Sequence, residues 1–367
     1  MPARVPRHAL LACWLAAVLA FAPATRAQEH DHEHMMAEAP ASPRLDLHGF
    51  FDVTLRAANL RSAGRDSTAI GWNLGQFDLF MTSRLTDRIS FLGEAVMEAA
   101  EGSGSIDLER AYVRYSFSDH LRVTAGRTHS AVSYWYVTCH HGALLQPTIQ
   151  RPAPVRFEDE PEGGLLPAHA VGLEFSGHQP VGDLSLDWVA NLANGRAQDR
   201  TKVQTVGDGN RDKQIGASTT LSGTGELEWH AGGALFHDRT PPDAVTGGET
   251  DQNIASVHLA LRHAWLDEVA EYFSVMDRDR LTGAQRTNKA WYGVLTLGPG
   301  SWRPYVAVEG VRIAADPFYT GTADLDRATL GLRYDVNAFN SVKLEYRNAL
   351  RAGERTHELL LQTAFTF

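Results

Sequence analysis

The chain is 367 residues long and 43% hydrophobic, with 34 Lys+Arg against 44 Asp+Glu, a formal net charge of -10 and two cysteines. Those totals fit neither intrinsic disorder nor a disulfide scaffold, and an acidic balance offers little to nucleic acid. Composition alone does not separate a soluble enzyme from a membrane barrel with a polar interior, so the pattern along the chain has to decide.

Residues 1–27 read as a secretory signal: a basic start at Arg4 and Arg7, an apolar stretch from Ala9 to Ala22, and the small-residue ending Thr25-Arg26-Ala27. Its removal takes away Arg4, Arg7 and Arg26 and no acid, which moves the net charge from -10 to -13. It also leaves Cys139 alone, so no intrachain disulfide is expected. Residues 28–44 form a His-rich leader in which His30, His32 and His34 alternate with acids ahead of Met35-Met36. Such imidazoles bind Zn or Cu weakly, since no packed surroundings orient them. The leader is read as a flexible polar segment, with metal capture as the alternative. No run of 18 apolar residues follows, which excludes helical spans.

From Leu45 onward, segments of about ten residues alternate apolar and polar side chains, the period-2 pattern of a strand between two environments. Leu45, Leu47, Phe51, Val53 and Leu55 oppose Asp46, His48, Asp52, Thr54 and Arg56. The same contrast returns in Val342, Leu344 and Tyr346 against Lys343, Glu345 and Arg347. About sixteen strands follow in order, near 45–57, 74–85, 89–99, 105–117, 121–128, 168–177, 183–193, 212–221, 225–237, 252–263, 266–277, 287–298, 302–313, 325–336, 340–350 and 355–367. Every second connection is short, and longer polar loops lie at 58–73, 129–167, 194–211, 238–251, 278–286 and 314–324. Short turns at one rim, long loops at the other and an even strand count predict an all-β fold, a transmembrane antiparallel β-barrel over residues 45–367. Both termini are then periplasmic, and the barrel closes through its first and last strands. The inward phase of the strands between 252 and 298 is ambiguous in the sequence. Phe91, Phe117, Trp265, Trp302, Phe339 and Phe367 crowd the short turns, as an interface girdle does.

This topology resembles the general porins, and the run from Gly126-Arg127-Thr128-His129 through Tyr134-Trp135, His140-His141-Gly142 and Arg151-Pro152 looks like a segment of the phosphate-selective porin superfamily. With only Lys202, Lys213, Lys289 and Lys343 there is no lysine ladder, and phosphate selectivity is not implied. The C-terminal Phe367 resembles the signal that outer-membrane proteins present to their insertion machinery. The resemblance implies a third external loop, about 129–167, that folds inward and narrows the lumen, and a homotrimer in the outer-membrane lipid.

A candidate constriction follows. Arg56, Arg84, Arg110, Arg114, Arg122, Arg333, Lys343 and Arg347 fall on strands that are neighbours after closure and would form a basic arc. The third loop carries Glu158, Asp159, Glu160 and Glu162, which would face that arc and set a transverse field. The competing expectation pairs the same cations with Asp52, Asp78, Glu94, Glu98 and Glu345 on their own wall. His129, Cys139, His140 and His141 offer zinc-type ligands in no firm spacing, with Tyr134, Trp135 and Tyr136 as loop anchors. Ser130 or Ser133 beside His129 is the one nucleophile and base pairing, and no motif frames it, so no enzyme is expected. A fatty-acid transporter is disfavoured because the inward faces read as charged. The sequence thus points to a porin for passive diffusion of small hydrophilic solutes or ions, with no cofactor implied. Metal uptake or sensing through the leader is the alternative.

Overall fold

The computed structural model describes residues 44–62, 65–100, 103–139, 142–158, 160, 162–196, 212–242, 247–319 and 322–367, without the side chains of residues 60–62, 65–68, 99, 100 and 103. The signal, the leader with His30, His32 and His34, and Asp159, His140 and His141 lie outside the described residues.

Sixteen antiparallel strands are described: β1 Arg44–Ser62, β2 Arg65–Arg84, β3 Ile89–Ala100, β4 Ser103–Ser118, β5 Leu121–His129, β6 His169–Val181, β7 Leu184–Asn194, β8 Lys213–Gly223, β9 Glu228–Thr240, β10 Thr250–His263, β11 Leu266–Asp279, β12 Gln285–Leu297, β13 Trp302–Arg312, β14 Leu325–Asn337, β15 Asn340–Arg351 and β16 Glu354–Thr366. Each pairs with its sequence neighbour, and β16 returns to β1 to close the barrel. The seam runs from Phe50↔Thr366 to Asn59↔His357, and Gly49 and Phe367 exchange backbone hydrogen bonds at 3.1 Å. Among the described residues no helix is long and apolar enough to cross a membrane.

Outward positions carry the apolar belt: Leu45, Leu47, Leu235, Val257, Leu330, Leu344, Leu359 and Leu361 are exposed. Five aromatics of the short-turn rim, Phe117, Trp265, Trp302, Phe339 and Phe367, are exposed with them, while Phe91 is half-buried. One expectation is corrected. Most of the predicted loop 58–73 is strand, because β1 and β2 continue in register to Ser62↔Arg65. From Asn59 to Thr68 the sequence is mostly polar, so it carries no apolar–polar alternation to read.

Irregularities gather around β4. The register steps from Glu94↔Arg110 to Ala95↔Leu108, which makes Glu109 the extra residue of a β-bulge. Across the β4–β5 ladder from Tyr112, Gly126 adopts φ 136°, and a Cβ there would meet the Ala111 carbonyl oxygen at 2.2 Å and the Tyr112 Cα at 2.8 Å. Both neighbours are backbone and have little room to yield. Gly126→Ala is expected to destabilise the barrel by about 1–3 kcal/mol, read as a lower urea midpoint of the refolded protein. An unchanged midpoint would show that the ladder relaxes around the new methyl.

Candidate functional site

Residues 130–168 leave β5 and return to β6, and most of their described side chains are buried. They form the third loop of the long-loop rim, and it packs inside the barrel. Val132, Trp135, Tyr136, Val155, Phe157, Leu165 and Leu166 join one apolar cluster with Phe236, Ile254, Phe273, Val275, Tyr292, Val294 and Val311 of β9–β13. Each large side chain so buried is worth roughly 1.5–3 kcal/mol. The expectation of charged inward faces therefore fails on this wall. It also assigns the phase left open above: Ile254, Ser256, His258, Glu271, Phe273, Val275, Asn288, Tyr292 and Val294 point inward.

An irregular loop buried in a barrel has backbone groups that no ladder satisfies. Three inward carboxylates, one on every second strand, take its N–H groups. Glu271 of β11 accepts from Tyr134 N at 2.8 Å, Trp135 N at 3.0 Å and the Ser133 hydroxyl at 2.8 Å. It thereby closes the N-terminus of the short helix α1, Tyr134–Thr138. Glu309 of β13 accepts from Ala153 N, and Glu345 of β15 from Ile149 N at 2.6 Å. The loop carbonyls are met by cations. Lys343, fully buried, donates to Ala143 O and to Thr148 O at 2.9 Å, and Arg333 donates to Leu144 O at 2.6 Å and Gln146 O at 2.8 Å.

Part of the expected arc thus grips the loop. Arg347 joins it, bonded to the Gln150 side chain and to Glu345 at 2.7 Å. Arg110 pairs with Glu94 at 2.5 Å on its own wall, and Arg114 with Glu174 at 3.5 Å. Arg56 pairs with Glu358, Arg122 lines a cavity, and Arg84 lies exposed at the short-turn rim beside Asp87. The ion pairs described for the loop acids involve other partners. Glu158 meets His169 at 3.1 Å, Glu160 meets Arg151 at 3.1 Å, and Glu162 meets Arg156 at 3.0 Å, Arg327, and Arg351 at 3.6 Å. Glu162 holds φ 68°, a conformation rare outside glycine, at the point where these three arginines converge.

The tyrosine and tryptophan anchors are where the sequence put them: Trp135 and Tyr136 are buried, and Tyr134 stacks on His258 at 4.5 Å. Ser133 serves as the helix cap, while the His129 Nδ1 bonds Tyr136 O at 2.9 Å, so the two do not form a nucleophile and base pair. Burial pushes the Cys139 thiol up to about 12, away from reactivity. Sequence reading missed Glu271, Glu309 and Arg327. The available signal was a charge set between apolar residues of one phase, as Glu271 is between Val269 and Phe273.

Cavities remain at the short-turn end. One of about 410 Å³ is lined by Arg110, Arg114, Arg122, Glu174, Asp187 and His230, and one of about 800 Å³ by Arg262, Asp267, Arg303, Arg333 and Asp335. Tyr134, Thr138 and His230 border both.

No protein-family model matches the sequence, and no curated protein matches it. Solved structures do. An anion-selective porin from Comamonas acidovorans aligns with a TM-score of 0.64 and 13% identity, over 89% of this chain and 100% of that one. The outer membrane channel DcaP of Acinetobacter baumannii aligns at 0.60 and 14%, over 90% and 99%. OmpT of Vibrio cholerae in its trimer form aligns at 0.57 and 12%, over 89% and 100%. The chain therefore has the sixteen-stranded porin fold.

Burial acts to raise the Glu162 pKa, but Arg156, Arg327 and Arg351 outweigh it and hold the carboxyl below its ordinary 4.5. A carboxylate depressed in this way supports docking fully above about pH 4.5 and loses that support as pH falls through the lowered value. Hydrogen exchange of residues 150–166, corrected for the intrinsic rate, should therefore lose protection below that pH. Glu162→Gln should lose about 2 kcal/mol, roughly 30-fold in protection, already at pH 7. Equal protection in both proteins at pH 7 would remove Glu162 from the latch.

Proposed function

We propose that the protein is an outer-membrane porin through which small hydrophilic solutes or ions diffuse passively, with the third loop as its constriction. The observation that carries this reading is a closed sixteen-stranded barrel whose loop occupies the lumen yet leaves charge-lined cavities at the short-turn end. A barrel of this strand number is wide enough for an aqueous path. The exposed apolar belt and aromatic rim support insertion in lipid with the short turns and both termini on the periplasmic side. The exposed C-terminal Phe367 fits delivery by the insertion machinery, and a likeness to a protein solved as a trimer fits a homotrimer. Arg110, Arg114 and Arg122 at one cavity, and the Arg333, Lys343 and Arg347 anchors with Glu158, Glu160 and Glu162 at the loop, are the residues proposed to set width and charge preference.

Single-channel recording of the refolded protein in a planar bilayer tests this. Discrete conductance steps are expected, with Arg114→Gln shifting the zero-current potential under a salt gradient toward cation preference. A folded, heat-modifiable barrel that gives no steps would end the diffusion reading.

A further inference from the structure

The mouth of the third loop holds a second constellation that the channel reading does not use. His129 and His169 are the last cross-strand pair of the β5–β6 ladder, so their side chains share one face at the point where the strands give way to the loop. Glu109 reaches them because the β4 bulge inserts it as an extra residue. All three are buried, and one ligand atom from each lies within 4.8 Å of the others.

We propose that Glu109, His129 and His169 form a binding site for a borderline divalent cation of the Zn2+ type. Ligand chemistry supports it: two imidazoles and one carboxylate with a fourth position open is a set that Zn2+ takes. The surroundings support it independently. Metal-bound histidines hold their second ring nitrogen on a carbonyl or carboxylate, which fixes the tautomer and aims the other nitrogen. Here His129 Nδ1 donates to Tyr136 O at 2.9 Å, and His169 Nδ1 faces Glu158 at 3.1 Å. With an ion bound, both arrangements leave the ligand lone pair on Nε2. Without it, His169 Nε2–H donates to Glu109 Oε2, 2.6 Å away. Metal entry replaces that hydrogen bond, and the proton leaves to solvent.

The charge closes as well, since Glu109 and Glu158 together neutralise a dication between two neutral imidazoles. Of the nearby guanidiniums, Arg110 pairs with Glu94 and Arg151 with Glu160, while Arg127 donates its Nε to the Glu109 carbonyl at 3.0 Å. Ligands about 2.1 Å from a common centre stand about 3.4 Å apart, so the Glu109–His169 pair opens from 2.6 Å while any wider pair closes, adjustments that side-chain torsions supply. A path exists too, because the 410 Å³ cavity reaches His129. A bound ion would pin both ends of the loop to β4.

The test uses the full chain with His30, His32 and His34 replaced by Ala, so that the leader offers no imidazoles. Titration with Co2+ should give one ion per chain, the visible bands of a four- or five-coordinate site, and displacement by Zn2+. Glu109→Gln and His129→Ala should abolish the bands, Glu158→Gln should weaken binding about 10- to 100-fold, and exposed His178→Ala should change nothing. Where a variant fails to fold, Cu2+ bound to the unsubstituted barrel decides. Two imidazole nitrogens in its electron paramagnetic resonance spectrum sustain the site. No bound Co2+, fewer than two such nitrogens, or binding indifferent to folded Glu109→Gln and His129→Ala overturns it. Conductance tests the channel separately, so neither outcome here bears on it.

Discussion

A sheet placed in hydrocarbon cannot leave an edge, because unpaired N–H and C=O groups find no water there. In this chain the constraint is met at one seam, where β16 lies along β1 and the Gly49 and Phe367 backbones bond each other. Closing sixteen strands fixes a circumference, and the circumference leaves an interior that has to be either hydrated or filled. The third loop and its anchors are the response to that interior. Because β5 and β6 end at His129 and His169, the loop starts and finishes inside the rim and is long enough to cross to β15.

Apolar burial works differently on the two faces. In the proposed membrane setting, outward leucines and valines face lipid and gain little from one another, whereas the lumen is the one place where water can be expelled from apolar surface. The loop cluster on β9–β13 is therefore the hydrophobic core of this molecule. Its polar half has the opposite logic. Glu271, Glu309 and Glu345 stand in for the strand partner that the loop backbone lacks, with Lys343 and Arg333 answering its carbonyls. Loss of either set leaves buried groups unsatisfied, which costs more than the bond itself contributes.

Strand positions were legible because unlike environments on the two faces of a strand impose period 2, and most predicted boundaries fall within a few residues of β3–β16. The phase of β10–β12 was not legible, for a reason the structure supplies. Ile254, Phe273 and Val275 are apolar inside while Val257 and Tyr272 are apolar outside, so alternation vanishes where the loop packs. Loop partners were hidden for another reason. Ser133 and Glu271 stand 138 residues apart, and nothing local in either segment encodes the pairing. The proposed basic arc came from phase alone, which places Lys343 and Arg347 on the inner wall but is silent about the backbone that reaches them.

The inner wall is thus divided by task. From β9 to β15 it holds the loop through apolar packing and through Glu271, Glu309, Arg333, Lys343 and Glu345, while Arg262, Asp267 and Arg303 nearer the short turns line the larger cavity. From β4 to β8 it keeps charged side chains on a cavity wall, Arg110, Arg114, Arg122, Glu174 and Asp187 among them. In the proposed porin, substitution of Arg114 or Arg122 would retune charge while the loop stays docked, whereas substitution of Arg333 would change loop retention and charge together, because it both bonds the loop and lines a cavity. The β4 bulge stands at the border of these regions, where Glu109 meets the loop through His169 and Glu158. Two hydrogen bonds there tie the inner wall to the loop inside the barrel.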